Sequence, residues 1–191
     1  MKRTFLSEKE LVSGCIRREN DALEELYARY SARLYTLCFR YLGNTEEARD
    51  MMHDSMIKAM DCIGSFRQEN EGALYVWLRT ITINLVFDRL RKNSRLREIP
   101  IEQLGEEELE CVVESDNEQE KVIPDSVLQQ IIVTLSPVRR MVFNMYYIDG
   151  FSHKEIAVKL NITERGSTSI LAKARASVRK AIADYMKTTG E

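Results

Sequence analysis

The sequence predicts an all-α protein of two small helical domains joined by an acidic, mostly irregular linker. Three observations carry that expectation. Apolar residues recur at spacings of three and four over long stretches, with no convincing alternating strand pattern. Only 8 glycines and 3 prolines occur in 191 residues, which favours long uninterrupted helices. Charge is segregated along the chain. Glu98 to Glu120 holds ten acidic residues and no lysine or arginine, whereas Arg79, Arg89, Arg91, Lys92, Arg95 and Arg97 precede it with only Asp88 among them. Helical periodicity fades from about Asn93 to Val122, where Pro100 and Gly105 fall. The expected divisions are a first domain at 1–95, the linker at 96–123 and a second domain at 124–191.

Each element has a local reason. Ser7-Glu8-Lys9-Glu10 matches a capping box, so a helix starts there, with Leu11, Cys15 and Ile16 on one face. A second begins at Asn20 or Asp21. Its stripe is Leu23, Leu26, Tyr27, Tyr30, Leu34, Leu37, Cys38 and Tyr41, and Gly43-Asn44 ends it. Asn44-Thr45-Glu46-Glu47 opens a third, with Met52, Met56 and Met60 inward, and Gly64-Ser65 closes it. SFRQENEG is a polar loop. A fourth helix then runs from about Ala73 to Asn93, with Leu74, Trp77, Leu78, Ile81, Leu85 and Leu90 inward.

Beyond the linker, Asp125 begins a helix carrying Val127, Leu128, Ile131, Ile132 and Leu135. Ser136-Pro137 places serine at the N-cap and proline at the first helical position of the next, which carries Val138, Val142, Phe143, Met145 and Tyr146. After a turn at Asp149-Gly150, Ser152-His153-Lys154-Glu155 is a second capping box. Ala157 is small where two helices must approach, Asn161 tolerates a left-handed turn, and Thr163 caps a last helix reaching about Tyr185. In that helix Ser167, Leu171, Ala174, Val178, Ile182 and Tyr185 form the inward stripe. Arg165, Thr168, Ala172, Lys173, Arg175 and Arg179 lie opposite. The arrangement fits a helix-turn-helix whose second helix lies on DNA. An ordinary solvated face on a helical hairpin fits the same residues.

The totals exclude several classes. MKRTFLSEKE lacks the apolar core of a signal peptide, and no apolar run reaches membrane-spanning length, so a cytoplasmic protein without membrane insertion is expected. Cys15, Cys38, Cys62 and Cys111 are widely separated, which reads as free thiols and not a metal or disulfide framework. Only two histidines occur, His53 and His153. There is no GxxxxGK, no HExxH and no plausible catalytic triad, so neither an enzyme nor a cofactor or metal site is expected.

Four stretches resemble the extracytoplasmic-function (ECF) class of sigma factors, the specificity subunits of bacterial RNA polymerase. ITERGSTSILAKARASVRKAI is similar to a pattern written I-S-E-G-T-V-K-S-R-L-S-R-A-R, through Ile162, Thr163, Glu164, Ser169, Leu171, Lys173, Ala174 and Arg175. LSPVRRMVFNMYYIDGFSHKEIAVKL resembles L-P-x-x-x-R-x-V-F-x-L-x-x-x-E-G-x-S-x-x-E-I-A. In the first half, WLRTITINLVFDRLRKNSR is similar to W-L-x-x-I-A-x-N-x-x-x-D-x-x-R, matching at Trp77, Leu78, Ile81, Asn84, Asp88 and Arg91. LYARYSARLYTLCFRYLGNTEEARDMMHDSMIKAM resembles the helices that bind core polymerase. The likeness runs from about Leu11 to Ala183.

The resemblance implies roles. The first half would be the sigma region-2 four-helix domain and the last the region-4 helix-turn-helix domain. Core polymerase would be met by Asp50, His53, Asp54, Ile57, Lys58 and Asp61, although the family usually has glutamine where His53 stands. Without the resemblance these read as a solvated helix face. The −10 element would be read by Phe66, Arg67, Gln68, Trp77, Arg79, Asn84, Arg89, Arg91, Lys92 and Arg95, with asparagine and the loop receiving a flipped base and the cations holding phosphates. Core packing is the competing role for Trp77. The −35 element would be met by Arg139, Arg140, Arg165, Ser167, Thr168, Ile170, Lys173, Arg175 and Arg179, although the family usually has basic residues where Thr168 and Ile170 stand. The linker would mimic nucleic acid in a basic channel or act as a plain tether. Implied partners are core RNA polymerase, promoter DNA and an anti-sigma factor, often membrane-anchored. A rival reading is a helix-turn-helix regulator that binds an operator alone, but no ligand or phosphorylation domain is visible in the first half.

Overall fold

A computed structural model of the chain describes residues 6–67, 70–92 and 123–189. All its regular elements are helices. The chain divides into two compact units, Met1–Arg89 and Leu90–Glu191. The linker expected at 96–123 lies almost wholly outside the described residues, as do Gln68, Arg95 and Cys111.

In the first unit α1 (Glu8–Ile16) starts at the expected capping box: Ser7 Oγ accepts from the Glu10 amide, and the Glu10 carboxylate accepts from the Ser7 amide at 2.9 Å. Its end was not visible in sequence. Arg18 takes the left-handed conformation (φ 61°), with Arg18 N–H donating to the Cys15 carbonyl and Glu19 N–H to the Gly14 carbonyl. This is the helix-ending motif usually built on glycine, here built on arginine. Gly14 faces α2 (Asn20–Leu42) so closely that a Cβ there would stand 2.6 Å from that of Ala22. Leu11, Val12 and Cys15 are buried, whereas Ile16, expected inward, is 52% exposed because Gly14 and not Ile16 occupies the contact.

On α2, Leu26, Tyr30, Leu34, Leu37, Cys38 and Tyr41 form the expected buried stripe. Tyr27 departs from it and is exposed. Asn44 caps α3 (Thr45–Cys62), its Oδ1 accepting from the amides of Glu46 and Glu47 at 2.9 and 3.0 Å. Met51, Met52, Ser55, Met56 and Ala59 are the inner face, and Met60 is only half-buried. The single 3₁₀ turn Ile63–Ser65 leads to α4 (Ala73–Lys92). Besides the expected Leu74, Leu78 and Leu90, α4 buries Thr82, Ile83, Val86 and Phe87. Phe87 meets Tyr41 edge-on at 5.9 Å, which brings α4 onto α2.

In the second unit α5 (Asp125–Thr134) and α8 (Glu164–Thr189) share a core of Ile131, Leu135, Ala174 and Val178, flanked by Val127, Leu128, Phe143, Ala181 and Ile182. Each fully buried aliphatic side chain of this kind is worth ~1.5–3 kcal/mol. Ser136 precedes α6 (Pro137–Phe143) with proline at its start, but its hydroxyl makes no capping bond. α6 is shorter than expected. The chain passes at Asn144 into a π-helical turn, Asn144–Ile148, which leaves Tyr146, Tyr147 and Ile148 exposed. α7 (His153–Leu160) begins at the second capping box and ends at Asn161, left-handed at φ 54°. Thr163 Oγ1 then accepts from the Gly166 amide at 2.9 Å and caps α8.

Candidate nucleic-acid and polymerase interfaces

Three groups of side chains stand where the sequence expected contacts. On α3, Asp50, His53, Asp54, Ile57, Lys58 and Asp61 are all exposed, opposite the methionine face. Ile57 is 62% exposed. A large aliphatic group among carboxylates, a lysine and an imidazole suits a protein partner better than a phosphate backbone. Sequence reasoning missed Tyr27, which belongs to the same surface. Its hydroxyl lies 3.0 Å from His53 Nε2 and its ring stacks on the imidazole at 6.1 Å. The signal was there in the stripe itself, because Tyr27 adjoins Leu26 and sits at its edge.

The loop before α4 and that helix's outer side form the second group. Phe66 is buried and packs on Trp77, ring centroids 5.5 Å apart and tilted by 59°. Stacking of Phe66 on a base is therefore corrected: its ring is committed to Trp77. Trp77 is half-buried. Seven residues bring a helix nearly back to the same face, so Trp77 and the exposed Asn84 share a stripe. Arg79 lies about 140° round from Asn84 and is half-buried, so one flat surface does not hold both. Arg89 and Lys92 are exposed, Arg67 is exposed and bonds the carbonyls of Gly64 and Phe66 at 3.2 Å, and Arg91 lies in the last turn of α4.

The third group is the helix-turn-helix. Ile156, Ala157 and Leu160 are buried, and the Ile162 amide donates to the Ala157 carbonyl at 3.0 Å across the turn. Arg165, Thr168, Arg175 and Arg179 are exposed at spacings of three, seven and four, one continuous stripe, with Lys173 half-exposed beside it. Three expected contacts are overturned by burial. Ile170 is 2% exposed and belongs to the core. Ser167 is fully enclosed and its hydroxyl meets His153 Nδ1 at 2.9 Å. Arg140 is 5% exposed and donates to the Val133 carbonyl at 2.7 Å, so it seals the end of α5 instead of gripping phosphate. Arg139 is half-buried, with Nη1 3.4 Å from Ser177 Oγ on α8.

Two family models match the chain in the order of its units: Sigma-70 region 2 over residues 26–96 and Sigma-70, region 4 over residues 126–178. ECF RNA polymerase sigma factor SigW of Bacillus subtilis is 29% identical over 183 residues, 92% of this chain and 97% of the relative. ECF RNA polymerase sigma factor SigE of Mycolicibacterium smegmatis is 27% identical over 172 residues, 88% of this chain but 64% of the relative's length. The chain belongs to the ECF class of the sigma-70 family. It is an RNA polymerase sigma factor that directs promoter-specific transcription initiation. The solved sigma factor RpoE bound to the anti-sigma factor NepR from Bartonella quintana aligns with 84% of this chain and 96% of its own, at 17% identity and a TM-score of 0.47.

The electrostatics of this sigma factor follow from its caps and cores. In both capping boxes the carboxyl group, Glu10 or Glu155, is held below its ordinary value of 4.5 by bonds from the capping serine. Burial pushes the Cys38 thiol up to about 12 and raises that of Cys15, so both behave as small apolar core residues. Cys15, Cys38 and Cys62 are free thiols, as expected. Among the described residues no helix is long and apolar enough to cross a membrane.

Proposed function

We propose that this sigma factor carries core RNA polymerase to its promoters with the labour divided between its units. Residues 1–95 bind core and read and melt the −10 element, 96–123 connect, and 124–191 read the −35 element. The reading rests on one observation above the others: the two family matches are separate and in order, over residues 26–96 and 126–178, and within them α3 and α8 carry exposed polar faces. Asp50, His53, Asp54, Ile57, Lys58 and Asp61, with Tyr27, meet core. Asn84 and the half-buried Trp77 take a base, and Arg67, Arg89, Arg91 and Lys92 hold phosphates. Arg165 and Thr168 meet −35 base edges, and Lys173, Arg175 and Arg179 hold the backbone.

The protein is non-catalytic and cytoplasmic, and an anti-sigma factor controls it by covering one of these faces. The acidic linker residues mimic nucleic acid against a basic channel of the polymerase; Glu→Gln changes there alter abortive and full-length transcription if so, and leave both unchanged if the linker is a tether.

Promoter binding by the protein alone should be weak, and tight only with core polymerase present. Ile57→Asp, at an exposed site, should lower core affinity by about tenfold without lowering the melting temperature. Tight operator binding by the protein alone, unaffected by core, would favour the rival regulator.

A further inference from the structure

The enclosed hydroxyl of Ser167 joins the two helices of the reading head. Ser167 lies in the first turn of α8, with none of its surface exposed. Its hydroxyl is a polar group inside a core. An enclosed hydroxyl needs a partner, and His153, the first residue of α7, supplies it at 2.9 Å through Nδ1. The imidazole is held from its other side by Tyr146, whose ring stacks on it at 4.8 Å and 25°. Tyr146 belongs to the π-helical turn that shortens α6. Three elements thus meet at one polar contact: the turn after α6, the start of α7 and the start of α8.

The position matters because of what lies on the other side of the same turn. Arg165, two positions before Ser167, and Thr168, one after it, are exposed. They stand within ~4.5 Å of each other along the helix axis. A change in how far Ser167 sits from His153 moves that pair with it, while Lys173, Arg175 and Arg179 lie further along the helix.

We propose that His153 and Ser167, with Tyr146 steadying the imidazole, are positioning residues for −35 recognition. They touch no DNA and set the orientation in which Arg165 and Thr168 meet the base edges. The proposal rests on the −35 reading above. Valine would fill the same space without fixing a direction, whereas a hydrogen bond is directional.

The test is the −35 base-preference profile, measured as run-off transcription by holoenzyme on templates carrying every single-base change of the −35 element. Ser167→Ala and His153→Ala should each flatten or shift the preference at the most selective position by roughly fivefold. The double variant should do no more than either single change. His153→Asn, which keeps a polar atom where Nδ1 stands, should restore the profile to within about twofold. An unaltered profile in active Ser167→Ala and His153→Ala proteins would overturn the proposal. So would one common loss factor on every template, the mark of a purely structural role. Imidazole ¹⁵N shifts of the free wild-type protein supply a second measurement that needs no variant. One fixed tautomer with Nδ1 engaged is expected, and a tautomer-averaged, free ring would overturn the proposal. If wild-type holoenzyme transcribes these templates with no −35 preference, the −35 reading itself fails; if it shows a preference that the variants keep, only this inference does.

Discussion

Ile170 and Thr168 stand two positions apart in the first turns of α8 and serve opposite faces. Thr168 is exposed, while Ile170 has 2% of its surface in contact with solvent. Restoring a basic residue at 170 would therefore not add a DNA contact to this protein. Ile170→Lys should destabilise the second unit by about 3 kcal/mol, because it buries an unpaired ammonium; thermal melting measures this, and an unchanged melting temperature with tighter promoter binding would contradict the burial. Of the exposed residues, Arg165→Ala should alter −35 base preference, whereas Lys173→Ala should weaken all promoters by a similar factor. Equal losses across sequences for both would remove that division.

The residues misread from sequence share a physical cause. Spacing of three and four finds the centre of a buried stripe but not its edges. Tyr27, Ile16 and Ile170 sit at edges, where a neighbouring helix decides burial, whereas Ser167 lies on the inward stripe by spacing and only the family resemblance points it at DNA. Arg140 shows the other failure. A charged side chain in this stretch suits a phosphate ligand, whereas its guanidinium closes an open carbonyl at the end of α5.

At the scale of elements, starts were more legible than ends. Both capping boxes and the Asn44 cap were visible, because serine, asparagine and glutamate act within three residues of themselves. The end of α1 was not, since a left-handed cap is usually signalled by glycine or asparagine and here falls on Arg18. The π-helical turn after Phe143 leaves no mark in sequence spacing either. α4 was read too narrowly because it is apolar on more than one side, packing on both α2 and the loop at Phe66.

The cap of α7 makes a pH-dependent expectation. The folded protein holds the Glu155 carboxyl below 4.5. Its stabilising effect is therefore complete above that ordinary value and is lost as pH falls through the lowered folded value. The difference in thermal melting between wild type and Glu155→Ala should be constant from about pH 7 to about pH 5 and shrink towards about pH 3. A difference that stays constant down to the lowest pH would show that the bonds to Ser152 are not the source.

For the whole molecule, the net charge of −2 is the least informative number. Helices α4 and α8 carry ten of the 28 cations against three carboxylates, whereas Glu98 to Glu120 carries ten of the 30 acidic residues and no cation. A chain so divided can hold phosphates at two places without being basic overall. The proposed division also predicts that core polymerase strengthens promoter binding by holding two separate grips in register. Fold class, element order and the outer face of α3 were legible because long-range periodicity and the family patterns agreed. The polar contact at Ser167 was not legible, because its partner lies fourteen residues away on another helix.

The most direct test of the central claim is run-off transcription with purified core polymerase and this protein on a library of promoter fragments. Stimulation of a defined subset is expected, sharing a −10 and a −35 element and falling steeply as salt rises from about 50 to about 200 mM. No stimulation of any fragment would contradict the account.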